Sequence, residues 1–169
     1  QSECQLQGVF EGGDLGGSAD LVLTLSTGEA IILDMKWSGN SHEEKLKTNR
    51  QLQLAMYGEM YRQSGNAFAK PAYFILSKAR LLHVHEGVFP GVTAVIKETV
   101  EQGPELWQRF LVTWRWRQVQ LRKGEIEVAS EAMSKHLALE VPPETGYQLD
   151  KPSDRYNSYK HLMGWSADV

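Results

Sequence analysis

Two stretches constrain this chain more than any others. Residues 18–25 read Ser-Ala-Asp-Leu-Val-Leu-Thr-Leu and residues 30–37 read Ala-Ile-Ile-Leu-Asp-Met-Lys-Trp, with Ser-Thr-Gly-Glu between them. Apolar runs of that length around a short glycine-containing turn predict a β-hairpin. Side chains alternate along a strand, so Ile32, Asp34 and Lys36 share one face while Leu33 and Met35 take the other. An Asp and a Lys on a strand otherwise made of Ile, Ile, Leu and Met are costly to bury unless they are paired or bind a metal. Asp20 begins the neighbouring strand, after a glycine-rich stretch, and is placed to converge on the same end of the sheet.

The remaining elements follow from periodicity and punctuation. Residues 4–10 alternate and predict a strand, and Glu11 to Gly17 predict a glycine-rich turn. Ser41 and Glu44 have capping-box spacing, predicting one long helix to about Arg62, ended by Ser64-Gly65-Asn66. Met60 and Tyr61 are expected in the core. Residues 72–76 and 81–85 predict a strand pair. Pro104 opens a second helix to about Arg122, with Trp107, Phe110, Leu111 and Trp114 on its apolar face. The order predicts an α/β domain with a central mixed β-sheet flanked by helices, over residues 1–140. Residues 141–169, with Pro142, Pro143, Gly146 and Pro152, predict an extended C-terminal tail docking on that core.

Length and composition agree with one ordinary globular domain: 169 residues, 41% hydrophobic. No apolar run reaches the length of a membrane span, and no signal-like leader opens the sequence. Position 1 is Gln and not Met, so the chain is expected to be a piece of a longer protein. The single cysteine, Cys4, excludes a disulfide framework or four-cysteine cluster within the chain, and a cytoplasmic setting is expected. A net charge of −3 argues against a generic nucleic-acid coat protein. It leaves room for a metal site built of carboxylates with local basic patches around it.

The chemistry converges on Asp20, Asp34 and Lys36. Two carboxylates plus a backbone carbonyl suit Mg²⁺, which prefers oxygen ligands. A neighbouring lysine suits the orientation or deprotonation of a water and the offset of charge on a phosphoryl group. In the helix that follows, Arg50, Gln53 and Tyr57 have offsets of three and four and are expected on one face, placed to touch a nucleic-acid backbone. In isolation, Asp34 and Lys36 read rather as an edge-strand ion pair, and Gln53 and Tyr57 as a solvated helix face.

Taken together and in order, Gly-Ser-Ala-Asp20, Asp34-Met-Lys36 and Gln53-Leu-Ala-Met-Tyr57 resemble the RecB-like branch of the PD-(D/E)XK nuclease superfamily. The resemblance implies a restriction-endonuclease-like core and an Mg²⁺- or Mn²⁺-dependent hydrolysis of DNA. It implies Asp20, Asp34 and the Met35 carbonyl as metal ligands, Lys36 as the catalytic lysine, and Gln53 with Tyr57 as the helix motif. It further implies a domain of a larger protein of DNA repair, recombination or defence, with a helicase or other domain in the parent. The alternative is a catalytically inactive nuclease-fold module that binds DNA or a protein partner. Many relatives also carry an upstream helix whose His or Glu completes the site; here Glu11 or Asp14 would have to substitute. The tail from Asp154 through Asn157 and Tyr159 to Met163-Gly164 is similar to the family's cluster-closing frame with its three cysteines replaced. No iron–sulfur cluster is therefore expected.

Three other motifs are weaker. Glu11 to Gly17 lacks the Gly-Lys-Ser/Thr ending of a phosphate loop and precedes a strand, so that reading is rejected. His83 and His85 form a His-x-His pair with no third ligand nearby, and are expected to be exposed strand residues. Thr113-Trp-Arg-Trp-Arg117 and the following residues to Lys123 suit either a phosphate-tracking surface with Trp116 stacking on a base, or an amphipathic helix with Trp107 and Trp114 in the core.

Overall fold

A computed structural model of the chain describes residues 2–38, 40–85, 88–89, 91–95, 103–125 and 141–149. Its contacts divide it into two compact units, Gln1–Phe110 and Leu111–Val169. The first holds a sheet of β1 (Ser2–Phe10), β2 (Gly13–Thr24), β3 (Ala30–Lys36), β4 (Lys70–Ile75) and β5 (Arg80–His83), in that spatial order. Successive pairs run antiparallel except β3 and β4, which are parallel. A parallel neighbour requires a crossover, and here it is made by α1 (Asn40–Lys47) and α2 (Leu52–Gln63). The mixed central sheet with helices matches the α/β class expected.

Both faces of the sheet are covered. Leu6, Ala19, Val22, Ile32 and Met60 form one buried cluster, with Tyr57 and Tyr61 packed against it. Leu46 of α1 and Leu54 of α2 join Tyr73, Ile75 and Leu82 in a second. Ile31, Leu33 and Ala72 face the other way, covered by Leu81, Val88 and Phe89. The last helix among the described residues, α3, spans Gly103–Arg122. Within the first unit its Trp107 is buried and packs edge-on to Phe10, with ring centroids 6.4 Å apart. Within the second unit the Thr113 hydroxyl donates to the Tyr147 carbonyl at 2.9 Å, which ties residues near Gly146 to the helix. Trp114 is half-buried, and Arg117 lies over the Trp116 ring at 4.5 Å. The cluster-like tail frame from Asp154 to Gly164 lies outside the described residues. Among the described residues, no helix is long and apolar enough to cross a membrane.

Three expectations are corrected. The glycine-rich stretch is mostly strand: the turn is only Glu11-Gly12, β2 starts at Gly13 with φ +130°, and Phe10 pairs Gly13. Gly17 lies within β2 because α2 passes close over it, a Cβ there falling 3.0 Å from the Tyr57 ring. The predicted long helix is two. Asn49 takes φ +55°, the Arg50 amide donates to the Lys45 carbonyl at 2.8 Å, and the Asn49 amide reaches Leu46 O at 3.5 Å. This is a Schellman ending with Asn in the left-handed position that glycine usually fills. The helix also begins at Asn40, so Ser41 lies inside its first turn and does not cap it.

His83 and His85 are buried, not exposed. The strand pair folds so that His83 packs on Phe89, with ring centroids 4.6 Å apart. Neither His83 ring nitrogen, nor His85 Nε2, makes a well-aligned hydrogen bond, although backbone groups of His85 and Val92 approach the His83 ring. Burial, with the Lys70 ammonium and His83 adding to it and Glu29 opposing, pulls His85 down to about 4. The unfolded chain therefore binds a proton below pH ~6.5 that the folded chain refuses. Stability contributed by neutral His85 is full above that pH and is lost as pH falls toward 4, on the order of 3 kcal/mol. Thermal melts of His85→Gln and the unaltered protein should converge between neutral and mildly acidic pH. Parallel melting curves across that window would refute the assignment.

Candidate functional site

The site forms where the β2–β3 ladder stops. The last pair toward the end of β3 is Leu21 with Leu33, which leaves the Met35 amide without a β2 carbonyl. The Asp20 carboxylate takes its place, accepting that N–H at Oδ2 from 2.6 Å. The buried positions of β2 also change phase here, running Ala19 and then Val22. On β1, opposite this point, Glu3 adopts φ +48° and drops out of the pairing between Ser2 and Cys4. This irregularity brings Asp20 against β3.

Asp34 lies on β3 opposite Tyr73 of β4 and is only 3% exposed. Lys36, two residues on, places Nζ 2.7 Å from Asp34 Oδ2, while its own side chain stays 28% exposed. The distance is that of an ion pair, but Oδ2 makes no well-aligned hydrogen bond. Burial pushes the Asp34 carboxyl above the usual carboxylate range, and the nearby Asp20 charge pushes the same way; Lys36 and His42 pull against them. A charge removed from water beside a second carboxylate marks a candidate functional site. Two carboxylates, one of them buried, offer the hard oxygen donors that Mg²⁺ or Mn²⁺ takes.

Helix α2 supplies the polar side chains above this sheet face. Gln53 is exposed and its Nε2 donates to the Tyr57 hydroxyl at 3.0 Å. Tyr57 is half-buried, with its ring on Gly17 and its hydroxyl toward Gln53. Arg50 is corrected: it sits in the link between α1 and α2, before the first residue of α2, and helical spacing does not place it on the stripe. Glu11 and Asp14 are corrected too. Asp14 pairs Val9 at the turn end of the hairpin, six residues from Asp20, about 20 Å along an extended strand. A cleft of about 620 Å³ lined by Gln7, Val9, Asp14, Gln63 and Ser64 lies at that same end, away from Asp20 and Asp34.

His42, which directly follows Ser41, was not among the residues expected at the site. From α1 its ring packs on Tyr73, with centroids 4.6 Å apart, and its Nδ1 is buried without a hydrogen bond. Burial lowers its proton affinity, and the Lys45 and Lys36 ammoniums lower it further, against a pull from Asp34. A neutral imidazole thus stands within electrostatic reach of the Asp34–Lys36 pair. The available signal was its position six residues after Lys36, at the start of the crossover helix. Among the described residues, no group of three or more His, Cys, Asp or Glu side chains is placed to hold a metal ion.

Comparison with known protein families matches residues 1–139 to the PD-(D/E)XK nuclease superfamily. No curated protein and no solved structure matches the chain with significance.

Proposed function

The chain belongs to the PD-(D/E)XK nuclease superfamily, and from that premise we propose that it hydrolyses DNA phosphodiester bonds with Mg²⁺ or Mn²⁺, as a RecB-like member serving a larger DNA-processing protein. The observation that carries this reading is Asp34: a nearly fully buried carboxylate, held by one lysine, beside a second carboxylate. A structural ion pair gains nothing from such burial. Asp20, Asp34 and the Met35 carbonyl would hold the cation. When bound, it supplies Lewis acidity toward the phosphoryl group and lowers the pKa of a water.

The chain's own groups have separable tasks. Asp20 fixes the end of β3 through the Met35 amide and keeps its other oxygen for the site. Lys36, partly exposed, presents an ammonium to the phosphoryl charge and orients the attacking water. Gln53 and Tyr57, joined by their own hydrogen bond, hold the strand beside the acids, with Arg50 as a further phosphate contact before the helix. None of these three is a good Mg²⁺ ligand.

The test is cleavage of labelled DNA by the intact chain with Mg²⁺, with Mn²⁺ and with chelator. Cleavage only with metal is expected. Gln53→Ala and Tyr57→Phe should each weaken turnover or DNA binding by about 0.5–1.5 kcal/mol while metal affinity holds. One observation favours the non-catalytic module: the described residues include no third acidic or imidazole ligand at the carboxylates. Absence of cleavage with either metal, alongside intact DNA binding, would establish that second reading.

A further inference from the structure

The groups assigned above leave His42 without a task. Its ring lies on Tyr73, with centroids 4.6 Å apart. Tyr73 is buried and stands in register with Asp34 on the adjacent parallel strand. Residues in register present their side chains to the same face of a sheet, on strands about 4.8 Å apart. His42 therefore covers the face that carries Asp34 and, two residues on, Lys36. The charges of both act on it. Its Nδ1 is buried and has no hydrogen-bond partner. Such atoms are few in folded proteins, and each calls for a reason.

Burial and the two nearby ammoniums, Lys45 and Lys36, favour the neutral imidazole. A neutral imidazole has one nitrogen free to accept a hydrogen bond. With the ring proton on Nε2, that acceptor is Nδ1. Lys45 is exposed on the same helix. Lys36 lies on the sheet face that His42 covers, with Nζ 2.7 Å from Asp34 Oδ2. The nuclease reading gives the Asp34 carboxylate to a divalent cation. An ammonium and a divalent cation on one buried carboxylate repel each other, and the ammonium has three donors to place elsewhere. We infer that His42 is the second seat of Lys36: with a cation at Asp34, the Lys36 ammonium leaves Oδ2 and donates to His42 Nδ1. His42 is thus a positioning residue that acts through Lys36 and does not ligate the cation. The inference rests on the nuclease reading for the cation at Asp34.

The test measures cation binding without DNA, by calorimetric titration of the intact chain with Mn²⁺. His42→Phe keeps a ring on Tyr73 and removes the acceptor. It should weaken Mn²⁺ binding roughly tenfold, the worth of a hydrogen bond to a charged group, because Lys36 then stays in competition for Asp34. His42→Gln, whose amide oxygen accepts, should stay within about threefold of the unaltered protein. In a Lys36→Ala background, His42→Phe should change nothing, and Lys45→Ala alone should also leave binding unchanged. Equal affinity in His42→Phe overturns the inference, because Lys36 then turns to water. The same loss with Lys36→Ala present overturns it too, because His42 then acts on the cation directly. Nitrogen NMR of the imidazole, in chelator and in saturating Mg²⁺, requires no substitution at position 42. The Nδ1 resonance should shift as for a nitrogen that gains a donor, and should stay in place in Lys36→Ala. An unmoved resonance, or a shift that survives Lys36→Ala, overturns the inference. The two readings fail separately. His42-dependent cation binding without DNA cleavage overturns the nuclease alone. Cation binding and cleavage indifferent to His42 overturn the second seat alone, and a chain that binds neither cation overturns both.

Discussion

Asp34→Asn is expected to abolish DNA cleavage and cation binding while raising the melting temperature of the metal-free protein. The carboxylate is 3% exposed, its Oδ2 lacks a well-aligned hydrogen bond, and burial already pushes its protonation upward. Asparagine has nearly the same shape without the desolvated charge. Lys36 then loses its partner, but its side chain is 28% exposed and can turn its ammonium into water. The folded state should gain, with each kcal/mol relieved raising the melting temperature by about 2–4 °C in a chain of this size. Function and stability then move in opposite directions, as at sites where a charge is kept for chemistry at the expense of stability. Melts in chelator, calorimetric titration with Mg²⁺ or Mn²⁺ and a cleavage assay on one preparation decide it. A lower melting temperature with cation binding intact would show that the Asp34–Lys36 pair is structural.

The second large effect is expected from Lys36→Ala, and its pattern is the reverse in stability. An ammonium cannot ligate a cation, so metal affinity should hold within a few-fold. Cleavage should fall by about 10²–10⁴, the range for loss of a positioned proton-transfer group. Without metal, Asp34 is left buried with neither lysine nor cation, and removing one partner of a buried pair is destabilising. The melting temperature in chelator should therefore drop, and saturating Mn²⁺ should restore much of it, because a ligand that binds only the folded state stabilises it. A drop that Mn²⁺ leaves untouched, with cleavage at the unaltered rate, would remove Lys36 from the site. Opposite signs for the two melts are the diagnostic pair.

Much of the fold was legible because its elements are punctuated locally. The β2–β3 hairpin, β4, α3 from Gly103 and the end of α2 at Ser64-Gly65 all follow from apolar runs between turn residues. The errors came where one residue type has two uses. Asn49 was read as an ordinary helix interior, although Asn is the residue other than glycine that readily takes the left-handed ending. The glycines before Asp20 were read as a turn, but Gly17 is needed in a strand for the close passage of Tyr57. His83 and His85 were read as exposed because no third metal ligand stands near them in the sequence; both are buried, and His83 packs on Phe89, a contact that strand periodicity does not specify.

By itself the sequence determined which residues are the candidates for the chemistry and which face of β3 they share. That follows from strand periodicity and from the cost of placing Asp34 and Lys36 among Ile, Leu and Met. Only the tertiary structure decided how those residues meet: that the ladder ends so that Asp20 captures the Met35 amide, that Asp34 is buried against Lys36, and that His42 reaches their neighbourhood. It also decided that Arg50 falls between helices and that Trp37 is left in water. Periodicity is a property of neighbours along the chain and is written in the residue order. Burial, desolvation and hydrogen-bond completion depend on which distant segments arrive, and that is settled by the parallel crossover from β3 to β4, which no local pattern specifies.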